Sequence, residues 1–170
     1  MSGILSFAFV LLAAAAASVE APREITVNSL LSEINRQRLV HRLPPLRLEP
    51  RLVRAAELRM RDMEEQRYWD HVDPSGNTPF DWLRVTGYDF ELAGENLAQG
   101  FESPQVLVEA WMESEGHRRN LLAPRYAEAG VAVIDGGTTR RTTGKSVVVV
   151  FARERDPRLM PNPRKTQDTP

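Results

Sequence analysis

Three histidines and no cysteine limit the chemistry that this sequence can carry. Without thiolates, a metal site must use imidazole, carboxylate or backbone oxygen, and neither a disulfide nor a cysteine nucleophile can form. His41 lies near the end of the first predicted helix, beside Arg38 and Arg42, where a cation complements the helix dipole. We therefore assign His41 a structural or surface role and look for chemistry at the other two histidines.

His71 lies between an aromatic pair and the turn at 73–77, so it can be a ligand, a proton carrier or a packed hydrogen-bond donor. Glu95 follows a glycine in an otherwise apolar stretch. This pattern predicts a partly buried carboxylate, which needs a cation, a metal or a histidine as its partner. A surface glutamate at a strand end is the alternative.

His117 follows Gly116, which we expect to break the preceding helix and to leave His117 at or past its C-terminal end. Ser114 would then share a helical face with His117 and could act as a nucleophile. However, no Gly-x-Ser-x-Gly elbow is present, and serine near a helix end usually bonds the local backbone. The sequence also lacks His-Glu-x-x-His, an EF-hand loop, a phosphate-binding loop and a dinucleotide fingerprint. Glycoside hydrolysis would need a second carboxylate facing Glu95, and none is visible.

Length and composition predict one globular domain. The chain has 170 residues, of which 42% are hydrophobic and 26% charged, with a net charge of −1. Such a balance gives no general attraction to nucleic acid. Arg51, Arg54, Arg59 and Arg61 alternate with acidic residues, which we interpret as a solvated helix face with ion pairs.

The elements that must position these residues mix helices and strands. Helical spacing predicts helices over 29 to about 43, 50 to about 66, and 79–85, with another opening at Ser103. Strands are predicted near 46–49, 94–98, 129–134 and 147–151, and the last two, joined by a short turn, should pair antiparallel. This order indicates an α+β fold.

The first 21 residues differ in kind from the rest. Residues 4–19 are almost wholly apolar, too short for an ordinary membrane span, and small residues follow where a signal peptidase would cut. No Lys or Arg precedes the run, so an uncleaved N-terminal anchor is the alternative. Either way we expect the domain outside the cytoplasm, secreted or periplasmic, with membrane contact only through an uncleaved segment. Residues 154–170 are polar and proline-rich, which is typical of a disordered tail.

An ordered set of short motifs resembles one known family. In chain order the motifs are Ile34-Asn35-x-x-Arg38, Leu43-Pro44-Pro45-Leu46, His71-x-Asp73-Pro74, Gly87-Tyr88, Gly94-Glu95-Asn96-Leu97-Ala98, Trp111-x-x-Ser114-x-Gly116-His117-Arg118-x-Asn120-Leu121-Leu122 and Gly130-Val131-Ala132-Val133. Together they resemble the cysteine-rich secretory protein, antigen 5 and pathogenesis-related (CAP, or SCP) superfamily, in its compact cysteine-free bacterial form. The resemblance predicts a CAP domain over residues 28–153.

The resemblance implies a three-layer α–β–α sandwich with a small antiparallel sheet between helices. It also implies a cleft lined by His71, Glu95 and His117, with Asn96 fixing a loop nearby. In this family the cleft can hold zinc or another divalent cation, and here His71 and His117 would be its ligands. Eukaryotic members place a glutamate where this chain has Ser114, so the acidic balance of the cleft is weaker.

Three functions fit these expectations. The first is a binding module of the cell envelope or medium, whose ligand is a small lipid, an envelope glycan or a protein. The second is a metal-dependent, peptidase-like hydrolase with Glu95 as general base. The third is a scaffold whose His/Glu cluster only stabilises the cleft. We favour the first, because no nucleophile and no complete set of metal ligands can be read from the sequence.

Overall fold

The computed structural model describes residues 24–137 and 143–159. The predicted signal peptide or anchor at 1–21 lies outside the described residues, as does most of the predicted tail. The helices are α1 Val27–Val40, α2 Pro50–Gln66, α3 Pro79–Val85, α4 Pro104–Glu113 and α5 Glu115–Leu121. The strands are β1 Arg47–Leu48, β2 Phe90–Phe101, β3 Glu128–Asp135 and β4 Lys145–Glu154, and a 3-10 turn follows at Pro157–Leu159.

Local signals explain where several helices begin. Thr26 and Ser29 form a capping box, so α1 starts two residues before the predicted start. Pro50 occupies the first turn of α2, where its missing N–H costs nothing, and α2 has the predicted bounds. Pro79 likewise occupies the first turn of α3, after the N-cap residue Thr78, so α3 begins where it was predicted to begin.

The sheet has the order β1-β3-β4-β2. β4 pairs antiparallel with both β2 and β3, as the sequence predicted for the last two strands. β1 differs, because it pairs parallel with β3 through two residues only. β2 is therefore an edge strand, and it is the strand that carries Glu95.

Alternate side chains of β4 face the two helical layers on opposite sides of the sheet. Val147, Val149 and Phe151 belong to the core beneath α1, α4 and α5, whereas their neighbours Val148 and Val150 belong to the core beneath α2 and α3. A strand buried on both faces reads as a continuous apolar run, which is how 147–151 appears in the sequence. The predicted α–β–α sandwich is confirmed.

A buried arginine ties the first helix to the segment after α5. The side chain of Arg38 is fully buried, and its guanidinium donates to four backbone carbonyls, those of Pro44, Leu121, Ala123 and Tyr126. No carboxylate takes part in this set of hydrogen bonds. Arg38 is therefore a structural clamp, and burial lowers its pKa.

No helix within the described ranges is long and apolar enough to cross a membrane.

Candidate functional site

The candidate site lies at the middle of the edge strand β2. Glu95 is paired with Val150, and Asn96 with Val149. Since successive side chains of a strand point to opposite faces, Glu95 lies on the α2–α3 side of the sheet and Asn96 on the α4–α5 side. The two halves of the cleft are thus supplied by different layers of the fold.

Glu95 is buried and both of its carboxylate oxygens are engaged. Oε1 lies 2.7 Å from Nδ1 of His71, and Oε2 accepts a hydrogen bond from Nε of Arg59 at 3.3 Å. The exposed fractions of the Glu95 and Arg59 side chains are 2% and 1%. The sequence predicted a buried carboxylate with a partner; the structure gives it two partners, one of which is a permanent cation.

The loop that carries His71 folds back onto the end of α2. Arg67 takes a left-handed backbone conformation, with φ of 58°, and closes the helix, and the N–H of Tyr68 then donates to the carbonyl of Met63. Further along, the buried carboxylate of Asp73 accepts from the backbone N–H groups of Ser75 and Asn77. Both ends of the loop are therefore held, and His71 lies between them.

His71 is the exposed member of its pair with Glu95. The exposed fraction of its side chain is 53%, although Nδ1 is bonded to a buried carboxylate. The hydrogen bond that Nδ1 of His71 makes to the Glu95 carboxylate raises the pKa of His71, and burial lowers this pKa to a lesser extent. With Nδ1 committed to Glu95, Nε2 is the atom of this ring left for a ligand.

The helix break before His117 differs from the prediction. It occurs at Ser114, which closes α4 by donating to the carbonyl of Ala110 and opens α5 by accepting from the N–H of Arg118. Ser114 has an extended backbone, whereas Gly116 and His117 lie inside the first turn of α5. Ser114 takes the N-cap position without a side-chain cap bond, and its backbone hydrogen bonds to Ala110 and Arg118 mark the break.

Consequently Ser114 and His117 do not share a helical face. Within the described residues no hydrogen bond joins their side chains. Glu113 and Glu115, on either side of Ser114, are exposed, and Glu115 lies 3.8 Å from Arg119. Neither glutamate supplies the acidic position that the family pattern leads one to expect.

Asn96, Asn120 and Trp111 attach the free edge of β2 to the α4–α5 layer. The Nδ2 group of Asn96 donates to the carbonyl of His117 at 3.1 Å, which fixes the start of α5 against the strand. Asn120 donates to the carbonyl of Glu95 and to Oδ1 of Asn96, while Nε1 of Trp111 donates to the carbonyl of Leu97. Carbonyls of an edge strand that would need water or another strand are therefore satisfied by side chains.

The pKa of His117 is shifted in the opposite direction from that of His71. Burial lowers the pKa of His117, and a positive charge on His71 lowers it further. The ring of His117 lies 6.1 Å from the ring of Trp111, centroid to centroid. The pKa values of the two imidazoles are therefore shifted in opposite directions.

A cation in this cleft would depend on the two histidines. In the part of the chain that the structure describes, no group of three or more His, Asp or Glu side chains is arranged to hold a metal. Nε2 of His71 and the ring of His117 fit the donor types that zinc prefers, with water completing the site. Glu95 would then support His71 as a hydrogen-bond partner and would not itself be a ligand.

Arg59 is the site residue that the sequence interpretation placed wrongly. It was assigned to a solvated helix face, yet it is completely buried. The signal was present in the spacing, because Arg59 follows Ala55 by four residues and precedes Met63 by four, and both of these are core residues. Its neighbours Arg54 and Arg61 are exposed, as predicted.

Comparison with known proteins identifies relatives of this fold and site. The family model described as the cysteine-rich secretory protein family (CAP) matches residues 31–152. The uncharacterized protein YkwD of Bacillus subtilis is 37% identical over 113 residues, which cover 65% of this chain and 44% of that protein. The uncharacterized membrane protein YlbC of the same organism is 35% identical over 104 residues, covering 61% of this chain and 30% of that protein.

A solved structure, that of an extracellular protein containing a SCP domain from Bacillus anthracis, matches with a TM-score of 0.65 and 30% identity. The match covers 75% of this chain and 40% of that protein. In each of these three comparisons, this chain spans less than half of the relative.

Proposed function

This chain belongs to the cysteine-rich secretory protein (CAP) family, and from that premise we propose that it is an exported ligand-binding module whose cleft, between His71 and His117, can hold a divalent ion. It would act in the cell envelope or the surrounding medium. Its ligand would be a small lipid, an envelope glycan or a protein.

Export is supported by two features. Residues 1–21 have the composition of a signal peptide or an N-terminal anchor. The relative from Bacillus anthracis is described as extracellular, and YlbC is described as a membrane protein. A secreted protein and an envelope protein tethered by its N-terminal segment both agree with these features.

The observation that carries the binding proposal is the bond between Nδ1 of His71 and the buried carboxylate of Glu95. A histidine that binds metal usually donates its other ring N–H to a carboxylate, which fixes the tautomer and turns the second nitrogen outward. Here the carboxylate is buried while the imidazole is half-exposed. The carbonyl of His117 accepts from Asn96, the residue next to Glu95 on β2, which fixes the start of α5 beside this pair.

The same geometry argues against the two alternatives. A general base needs a free carboxylate oxygen near the attacking water, but both oxygens of Glu95 are bonded to cationic or imidazole partners. A purely structural His/Glu cluster needs no solvent-accessible imidazole, whereas more than half of the His71 side chain is exposed. Binding therefore fits the site better than metal-dependent hydrolysis or scaffolding.

A calorimetric zinc titration of the chain without its first 20 residues tests this proposal. We expect saturable one-site binding near neutral pH that disappears in the His71→Ala/His117→Ala variant. His41→Ala is the matched control, because His41 is exposed at the end of α1 and bonds only the carbonyl of Gln37. Absence of binding to the folded wild type would refute the ion-holding cleft and direct the search to lipids and envelope glycans.

A further inference from the structure

Arg59 contacts the carboxylate that bonds the His71 ring and two residues of the loop segment just before His71. Its Nε donates to Oε2 of Glu95, Nη1 donates to the hydroxyl of Tyr68, and Nη2 donates to the backbone carbonyl of Asp70. The first of these partners bonds the His71 ring, and the other two belong to the loop that carries His71. We propose that Arg59 is the positioning residue of the cleft, holding both the ring and the backbone of His71 in place.

The three contacts use three different nitrogens of one planar group. Only a guanidinium presents donors in three fixed directions, so it can bond a carboxylate, a phenol and a carbonyl at once without reorienting. Lysine keeps the positive charge but has a single nitrogen on a flexible stem. The geometry of Arg59, more than its charge, is therefore what this site requires.

Tyr68 and Asp62 keep the guanidinium itself from turning. The hydroxyl of Tyr68 accepts from Arg59 and donates to Asp62, one turn further along α2. The second oxygen of Asp62 accepts from Gln66 at 2.7 Å. Arg59 also lies over the ring of Tyr68, with 5.3 Å between its guanidinium carbon and the ring centroid. The end of α2 and the start of the loop thus form one closed set of hydrogen bonds around Arg59.

The consequence for the cleft rests on the proposed function. If His71 binds a ligand through Nε2, then Arg59 determines where that atom points, although Arg59 is completely buried and never contacts the ligand. Replacing a carboxylate partner of a metal-binding histidine typically weakens metal binding by about 10–100-fold. A change at Arg59 that releases its contacts with Tyr68 and Asp70 should fall in the same range.

Two readouts on the Arg59→Lys variant test the inference. The first is the tautomer of His71, measured by ¹⁵N NMR of the imidazole at alkaline pH, where the ring is neutral. The wild type should be protonated at Nδ1, facing Glu95, and Arg59→Lys should shift the population toward the Nε2-protonated form that free imidazoles prefer. The second is zinc affinity by calorimetry, which should fall at least about tenfold.

Arg38→Lys is the matched control. Arg38 is as completely buried as Arg59, but its hydrogen bonds go to the backbone carbonyls of Pro44, Leu121, Ala123 and Tyr126, none of which lies in the loop that carries His71. We expect Arg38→Lys to lower the melting temperature without changing the His71 tautomer or the zinc affinity. If Arg38→Lys alters both readouts as much as Arg59→Lys does, the effect is general destabilisation and the inference is wrong. A folded Arg59→Lys variant with the wild-type tautomer would also overturn it.

Two further outcomes remain decisive. If the wild type binds no zinc, the proposed ion site fails, but the tautomer comparison still decides the role of Arg59. If Arg59→Lys does not fold, the guanidinium signals of the wild type decide instead. The inference requires slow rotation and slow proton exchange at the Arg59 nitrogens, and fast averaging of these signals would overturn it.

Discussion

Replacing Glu95 by glutamine should strongly destabilise the protein although it changes the shape of the side chain very little. The carboxylate offers an acceptor oxygen to each of two donors, Nδ1 of His71 and Nε of Arg59. The amide keeps one acceptor and turns the other atom into a donor, so either Arg59 faces a donor or Nδ1 of His71 must give up its proton and accept. In addition, the buried guanidinium loses its carboxylate partner.

The magnitude follows from burial. The exposed fractions of the Glu95 and Arg59 side chains are 2% and 1%, so solvent cannot compensate for the lost charge. Removing one partner of a buried pair costs about 3–5 kcal/mol. Asp62 lies 4.0 Å from Arg59 and offsets part of this loss, which places the expected cost near the lower end, about 3 kcal/mol.

Urea denaturation of the wild type and Glu95→Gln measures this cost directly. Glu91→Gln is the matched control, because Glu91 lies on the same strand and pairs with Arg125 and with Arg153, but its side chain is 39% exposed. An exposed ion pair is worth less than about 1 kcal/mol. If the free energies of unfolding of Glu95→Gln and Glu91→Gln differ by less than about 1 kcal/mol, then the buried pair stabilises the fold no more than an exposed one.

Two other expectations follow from packing and from the paired imidazoles. Gly130→Ala should destabilise the protein by about 3 kcal/mol or more, because the added Cβ would lie 2.0 Å from the backbone carbon of Leu52 at the start of α2. Gly116→Ala is the control: its Cβ faces open space inside α5, so this variant should be neutral or stabilised by up to about 1 kcal/mol. Equal melting temperatures for the two variants would contradict this packing. Glu95 raises the pKa of His71, so the stability that this pair contributes is fully present below the ordinary value of about 6.5 and is lost as pH rises through the higher folded-state pKa. His117 has the opposite sign, since burial lowers its pKa and its contribution is lost as pH falls below about 6.5. The destabilisation measured for His71→Asn should therefore shrink between about pH 6 and pH 8, and that for His117→Asn should not; zinc affinity should rise over the same interval as protons leave His71.

The sequence by itself determined most of the secondary structure and the family to which the chain belongs. The bounds of α2 and α3 follow from prolines at the first turn and from the helical spacing of core residues. The run 147–151 predicted a buried strand, and the turn before it predicted antiparallel pairing. These signals act between residues a few positions apart, so they can be read without the tertiary structure. The family resemblance brought His71, Glu95 and His117 together as expectations about one cleft.

Only the tertiary structure decided how these residues are engaged. The ion pair of Arg59 with Glu95 joins residues 36 positions apart, and it forms where α2 packs against the sheet and buries both side chains. The same packing made Arg59 a buried partner of the site and engaged both carboxylate oxygens of Glu95, for which the sequence predicted a partner without identifying Arg59. The helix break at Ser114 was also decided in context, because the side chains of Asn96 and Asn120 hold the start of α5 against β2. Long-range hydrogen bonds of this kind form only when strand order and layer are fixed, and neither leaves a mark in the local sequence.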